Sequence, residues 1–152
     1  MIELKNICRK FKDFEMSDIS LNIKKGEYHV LVGPSGAGKT LLLNLIAGFV
    51  KPDSGNIILN GVDITNLLPQ NRNVSYLFQD LALFPHLSVE ENVAFPLKIR
   101  KMKKLDIAAQ VKKYLEFTDV LHLKDRRISK LSGGEKQRVA LARNLITESG
   151  IL

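Results

Sequence analysis

Little in this sequence could staple, metallate or membrane-anchor it. One cysteine among 152 residues makes no internal disulfide, and Cys8 has no Cys or nearby His at metal-ligand spacing. A disulfide framework and a zinc ribbon are therefore excluded, and a reducing cytosol is the expected compartment. The longest apolar stretch, residues 41–50, is interrupted by Asn44 and falls far short of the roughly 20 residues that cross a bilayer. Glu3 and the lack of an apolar core at the amino terminus argue against a secretory peptide. Tryptophan is absent, and neither an internal repeat nor a low-complexity stretch is found. Acids are the minority charge, 16 against 23 Lys and Arg, a net +7. With 45% hydrophobic and 26% charged residues, the composition is that of an ordinary globular domain, which excludes disordered and fibrous classes. The basic excess points to nucleic acid, anionic lipid or a phosphorylated ligand. Lys98, Arg100, Lys101, Lys103 and Lys104 concentrate it, and the lack of an interleaved aromatic argues against a single-strand stacking platform.

Apolar residues first recur with period two, Ile2 and Leu4, then Ile19, Leu21 and Ile23, the pattern of antiparallel strands. Tyr28 to Val32 is nearly continuously apolar and reads as a strand buried on both faces. A glycine-rich turn follows, then a helical pattern in Leu42, Leu45, Ile46 and Phe49. Strand, glycine loop and helix make an α/β unit. Ile57 to Leu59 reads as strand, Asn60-Gly61 as a tight turn, and Val74 to Phe78 as a second buried strand. From Ser88 the period becomes helical. Ser88 with Glu91 predicts a capping box opening a helix that Pro96 limits, Asp106 predicts the cap of a second helix, and Ser132 with Glu135 another box.

Gly33-Pro34-Ser35-Gly36-Ala37-Gly38-Lys39-Thr40 fits GxxxxGK[ST], placed after a predicted strand and opening a helix. Glycines let backbone N–H groups converge on phosphate oxygens, and the helix amino terminus adds its dipole. Lys39 then reaches the β- and γ-phosphates, and the Thr40 hydroxyl can ligate Mg²⁺. Chance yields such a pattern in roughly half a percent of chains this long. Leu131-Ser132-Gly133-Gly134-Glu135 opens another helix and, by local rules alone, is a capped helix start.

The P-loop, Gln79 at the end of the second predicted strand, and LSGGEKQR before a helix, in that order, resemble the nucleotide-binding domain of the ATP-binding cassette (ABC) family over essentially the whole chain. The resemblance implies a P-loop NTPase α/β core with an antiparallel β subdomain and an inserted helical subdomain. It divides the chain into a β subdomain and P-loop core (1–79), a Gln79-loop exit and helical subdomain (80–130), and a signature motif, its helix and the start of the next strand (131–152). It implies Phe11 as the aromatic stacking on adenine, with Phe14 competing, and residues 33–40 as the ATP site. Gln79 would reach Mg²⁺ and the attacking water, so that Thr40 and Gln79 share the metal, and Lys39 and Gln79 serve catalysis. Leu131, Ser132, Gly133, Gly134 and Glu135 would form the signature that contacts ATP in trans, with Ser132 and Gly134 facing the γ-phosphate held by another subunit, which makes a dimer necessary. Residues 59–65, 78–89 and 91–93 look most like importer ATPases for oxyanions, sugars or polyamines, the molybdate, tungstate and sulfate branch foremost. The partners implied are a second ATPase subunit, permease subunits and a solute-binding protein, at the cytoplasmic face of the membrane, with no nucleic acid. Leu83, Phe84 and Leu87 are candidate anchors for the permease. His29, His86 and His122 are expected to be packing or surface residues.

Relatives continue from the position of Ile151-Leu152 into a strand ending Asp-Glu, then a switch His, and on to a regulatory domain. None of these lies in the chain, so the sequence reads as ATP-binding without its hydrolytic carboxylates, and as a fragment ahead of a catalytically silent protein. That strand is expected beside Tyr28–Val32. An ATPase subunit is the leading function, and a nucleotide-binding partner module that does not turn over is the alternative. A DNA-repair or chromosome ATPase would carry a long coiled coil or large insertion between P-loop and signature. Only 91 positions separate Thr40 from Leu131, without sustained heptads.

Overall fold

The computed structural model describes residues 1–152, in two compact units, 1–74 and 75–152. The first unit is built on an antiparallel sheet of order β2-β1-β3-β4, with β1 Ile2–Lys10, β2 Glu15–Ile23, β3 Ser54–Leu59 and β4 Val62–Asp63. The period-two residues set its register. Leu4 pairs with Leu21 on one side and Ile57 on the other, and Ile2 with Ile23 and Leu59. Asn60 and Gly61, at φ 50° and 82°, form the two-residue turn into β4 with both central residues left-handed.

Helix α1 spans Lys39–Ala47 and buries Leu42, Leu45 and Ile46. It ends at Gly48 in the left-handed conformation (φ 86°), and the Gly48 N–H returns to the Asn44 and Leu45 carbonyls. The last carbonyls of a helix lack intrahelical donors. Here a buried guanidinium supplies them. Arg72, 1% exposed, donates Nη1 to Leu45 O (2.7 Å) and Ile46 O (3.0 Å), Nη2 to Thr65 O (2.7 Å) and Nε to Leu67 O (2.9 Å). Desolvation lowers its pKa, and the field of Asp63 opposes that shift. The Thr65 hydroxyl accepts the Ile57 N–H (2.8 Å), so β3, the 64–72 loop and the end of α1 form one hydrogen-bonded chain.

The second unit is helical. Helices α2 (Val89–Ile99), α3 (Lys104–Phe117) and α4 (Gly133–Leu145) pack around Val93, Leu97, Val111, Leu115, Val139 and Ala142. Both predicted capping boxes form. Buried Asn92 ties the 84–88 loop to α2: its Oδ1 accepts the Phe84 N–H (2.9 Å) and its Nδ2 donates to Phe84 O (3.1 Å) and Ser88 O (2.8 Å).

Several local expectations are corrected. Tyr28–Val32 forms no strand, and Tyr28, Val30 and Val32 are 92%, 62% and 89% exposed. A strand apolar on both faces is held by ladders at both edges, and no segment supplies them here. Val74–Phe78 likewise does not form a strand; the Ser75 N–H donates to the Ile151 carbonyl (2.8 Å). Residue 151 therefore pairs with the segment leading to Gln79, not with 28–32. Helix α2 continues past Pro96 to Ile99. Helix α3 begins at Lys104, so Asp106 lies in its first turn and is not the cap. No helix is long and apolar enough to cross a membrane.

Candidate functional site

The 33–40 loop closes a pocket of about 400 Å³ lined by Phe14, Ser35, Gly36, Gly38, Lys39, Thr40 and Leu41. Its shape depends on two glycines with left-handed backbones, Gly36 (φ 82°) and Gly38 (φ 86°). At Gly38 there is a second constraint, since a Cβ would sit 2.7 Å from Phe14 Cζ and 3.1 Å from Met16 Cε. Helix α1 starts without a side-chain cap and without an acidic residue in its first turn, whereas α2 and α4 have both. Its N-terminal N–H groups and positive dipole end are thus left for an outside anion.

Lys39 Nζ donates to Gly33 O (2.8 Å) and Pro34 O (2.7 Å), folding the ammonium over the loop. Those are neutral acceptors, which an anionic oxygen outcompetes. Thr40, exposed in the first turn of α1, lines the same pocket. Glycine cradle, uncapped helix and a cation held only by neutral carbonyls fit a polyphosphate. Phe14 forms the pocket wall. Phe11, 42% exposed, lies outside the lining with the Arg9 guanidinium 4.8 Å from its ring centroid.

Gln79 is exposed and opens a turn in which the Leu81 N–H donates to Phe78 O (2.9 Å). Leu81 and Ala82 both have positive φ, 63° and 43°. Such a pair costs about 1–2 kcal/mol per residue in isolation. The compensation comes from α4: Arg143 donates Nη1 to Ala82 O and Nη2 to Leu81 O, each at 2.7 Å, with its guanidinium 5.5 Å from the Phe84 ring centroid. Burial lowers the Arg143 pKa. Arg143 fixes the Gln79 turn from the signature helix, and sequence reasoning missed it because the contact spans 61 residues. Leu83 packs on the helical core and Phe84 on Phe95 (4.4 Å), so these two and Leu87 are half-buried. His29, His86 and His122 are at the surface.

At the start of α4 the Glu135 carboxylate accepts the Ser132 N–H (2.7 Å) and hydroxyl (2.8 Å). The backbone hydrogen bond, then the hydroxyl, holds the Glu135 pKa below its ordinary value; Arg126 and Arg138 add to this. Leu131 is buried beneath the motif, while Ser132, Gly133 and Gly134 are exposed. Gly133 is the informative one. It has no positive φ, and a Cβ there would meet nothing within 4 Å. The fold of this chain does not require glycine at 133.

The sequence matches the ABC transporter family over residues 16–152. It is 47% identical over 152 residues to the molybdate/tungstate import ATP-binding protein WtpC of Pyrococcus abyssi, covering 100% of this chain and 44% of that protein. For WtpC of Methanocaldococcus jannaschii the identity is 51%, covering 100% of this chain and 51% of that protein. The spermidine/putrescine import ATP-binding protein PotA of Chromobacterium violaceum is 46% identical over 153 aligned positions, covering 100% and 42%. The chain thus spans about half the length of the curated relatives it matches. Among solved structures, a dimeric ATP-binding cassette in a post-hydrolysis state with ADP and Pi superposes with a TM-score of 0.83 at 29% identity, covering 98% of this chain and 71% of that one. A dimeric bacterial ABC transporter cassette gives the same TM-score at 30% identity.

Proposed function

Because the chain belongs to the ABC transporter family, we propose that it supplies the nucleotide-binding face of an ATPase subunit that energises solute import. The observation that carries this reading is the pairing, in one chain, of an uncapped P-loop helix facing a glycine cradle with a signature helix whose exposed glycine the fold itself does not need. A glycine that packs against nothing within its own chain is explained by close approach of something outside it. We assign that visitor as the γ-phosphate on the P-loop of a second subunit.

In this scheme the N–H groups of residues 36–40 bind the β- and γ-phosphates. Lys39 Nζ leaves Gly33 O and Pro34 O to meet them, and Phe11 offers its ring to the adenine while Phe14 walls the cradle. Ser132, Gly133 and Gly134 close over the γ-phosphate in trans, with Leu131 as their buried footing and Glu135 holding the helix start. Thr40 and Gln79 are the residues that would hold Mg²⁺, and the ion would supply positive charge against the phosphates. The chain spans about half the length of the relatives it matches, and hydrolysis is proposed for a protein of that full length. An oxyanion of the molybdate or tungstate class is the proposed cargo, delivered through permease subunits by a solute-binding protein.

Complementation tests the composite site. Lys39→Ala disables the P-loop of one subunit, and Ser132→Arg blocks the signature of the other, so each homodimer of the whole protein should be inactive. Mixing them creates one intact site per heterodimer, and turnover should return. A mixture as inactive as its parts would refute the trans arrangement.

A further inference from the structure

The densest run of positive charge in this chain lies on a feature that nucleotide binding does not use. Between Lys98 and Lys104 there are five Lys and Arg residues and no acid. They occupy the tip of the hairpin formed by α2 and α3. That tip is tied to the helices: the Lys101 N–H donates to Lys98 O (3.0 Å), the Met102 N–H to Leu97 O (3.3 Å), and Met102 packs against the helical core.

Folding accounts for only part of this charge. Lys98, in the last turn of α2, complements the helix dipole. Lys103 and Lys104 do the reverse, standing at the N-cap and first position of α3, where positive charge opposes the dipole and no side-chain cap forms. None of Lys98, Arg100, Lys101, Lys103 and Lys104 is in an ion pair; Arg100 donates to the Thr147 carbonyl instead (2.9 Å). Two large aliphatic side chains flank them without cover, Ile99 at 66% and Leu105 at 86% exposure.

We propose that this tip is a docking surface for an anionic lipid bilayer. Cations arrayed around a projecting turn, with aliphatic side chains between them, match a flat, negatively charged headgroup layer over an apolar interior. A peptide would ask for a groove. A single-stranded nucleic acid would ask for stacking aromatics, and none stands among residues 98–104; a duplex would gain nothing from the exposed Ile99 and Leu105, which a bilayer buries. The proposal does not depend on the import reading, since it needs neither nucleotide nor permease.

Vesicle sedimentation of the protein expressed from its complete reading frame, without permease, tests it. On vesicles of one part phosphatidylglycerol to two parts phosphatidylcholine, binding should be saturable and should weaken with salt; on pure phosphatidylcholine it should be at background. Replacing Lys98, Lys101, Lys103 and Lys104 by Gln should lower partitioning by about fivefold per lysine. The corresponding four Arg replacements should retain it, which separates loss of charge from loss of fold. Ile99→Ser with Leu105→Ser should give a smaller loss that salt does not change. Equal binding to both vesicle types, undiminished binding by the Gln variant, or tighter binding to duplex DNA or polyglutamate at the same salt would each overturn the proposal.

Discussion

Gly48 and Arg72 occupy adjoining space at the end of the P-loop helix, and their substitutions should be strongly non-additive. A Cβ on Gly48 would fall 2.5 Å from Arg72 Nε and 2.8 Å from Cζ, so Gly48→Ala must displace the guanidinium that satisfies four carbonyl oxygens. Two of those oxygens belong to α1 and are buried. Arg72→Ala should cost about 3–5 kcal/mol, the range for removing one member of a buried charge-assisted network. Gly48→Ala should cost nearly as much, combining about 1–2 kcal/mol of left-handed backbone strain with loss of most of the Arg72 contacts. In the Arg72→Ala background only the strain remains, which implies a coupling of about 2–3 kcal/mol in the double-mutant cycle. Urea midpoints combined with native-state hydrogen exchange of the α1 amides measure it. Additivity within about 0.5 kcal/mol would show that the two residues do not compete for space, and would refute the shared-site argument.

Arg143→Lys cannot reproduce the two-pronged contact with Leu81 and Ala82, so amides 79–84 should exchange faster while nucleotide affinity is kept; unchanged exchange would remove Arg143 from its positioning role. The Glu135 carboxyl is depressed by its Ser132 hydrogen bonds, so its stabilising contribution is present above the unfolded pKa and lost as pH falls through the lower folded value. NMR should show it titrating below a free glutamate, with α4 fraying from its first turn in acid; titration at or above the free value would contradict this. Phe11→Ala should weaken nucleotide binding more than Phe14→Ala, and the opposite order would move the base platform to Phe14. The polypeptide 1–152 by itself should bind a hydrophobic dye through the exposed 28–32 segment and should show no ATP turnover above a Lys39→Ala control. A sharp, dye-silent melt would count against the first expectation, and turnover above that control against the second.

What was legible in the sequence was whatever local chemistry decides. The period-two residues of β1 and β2, the Asn60-Gly61 turn and both Ser–Glu capping boxes each carry their own geometry within a few residues, and all formed. The P-loop was readable because its glycines and Lys39 are contiguous. Two kinds of feature were not. Tyr28–Val32 has the composition of a buried strand, but a strand is a property of its neighbours, and composition cannot supply a ladder. Arg72 and Arg143 are single basic residues in unremarkable contexts. Their acceptors are backbone carbonyls, which every residue has, so no side-chain pattern marks the contact.

The central claim is that residues 33–40, through Lys39, hold the phosphates of a nucleotide. The most direct test is titration of a fluorescent Mg-ATP analogue into the whole protein and its Lys39→Ala variant. Loss of one charge-assisted contact set should weaken binding by about 10- to 100-fold, with the variant's α1 amides exchanging as in the parent. Equal affinity in parent and variant would contradict it.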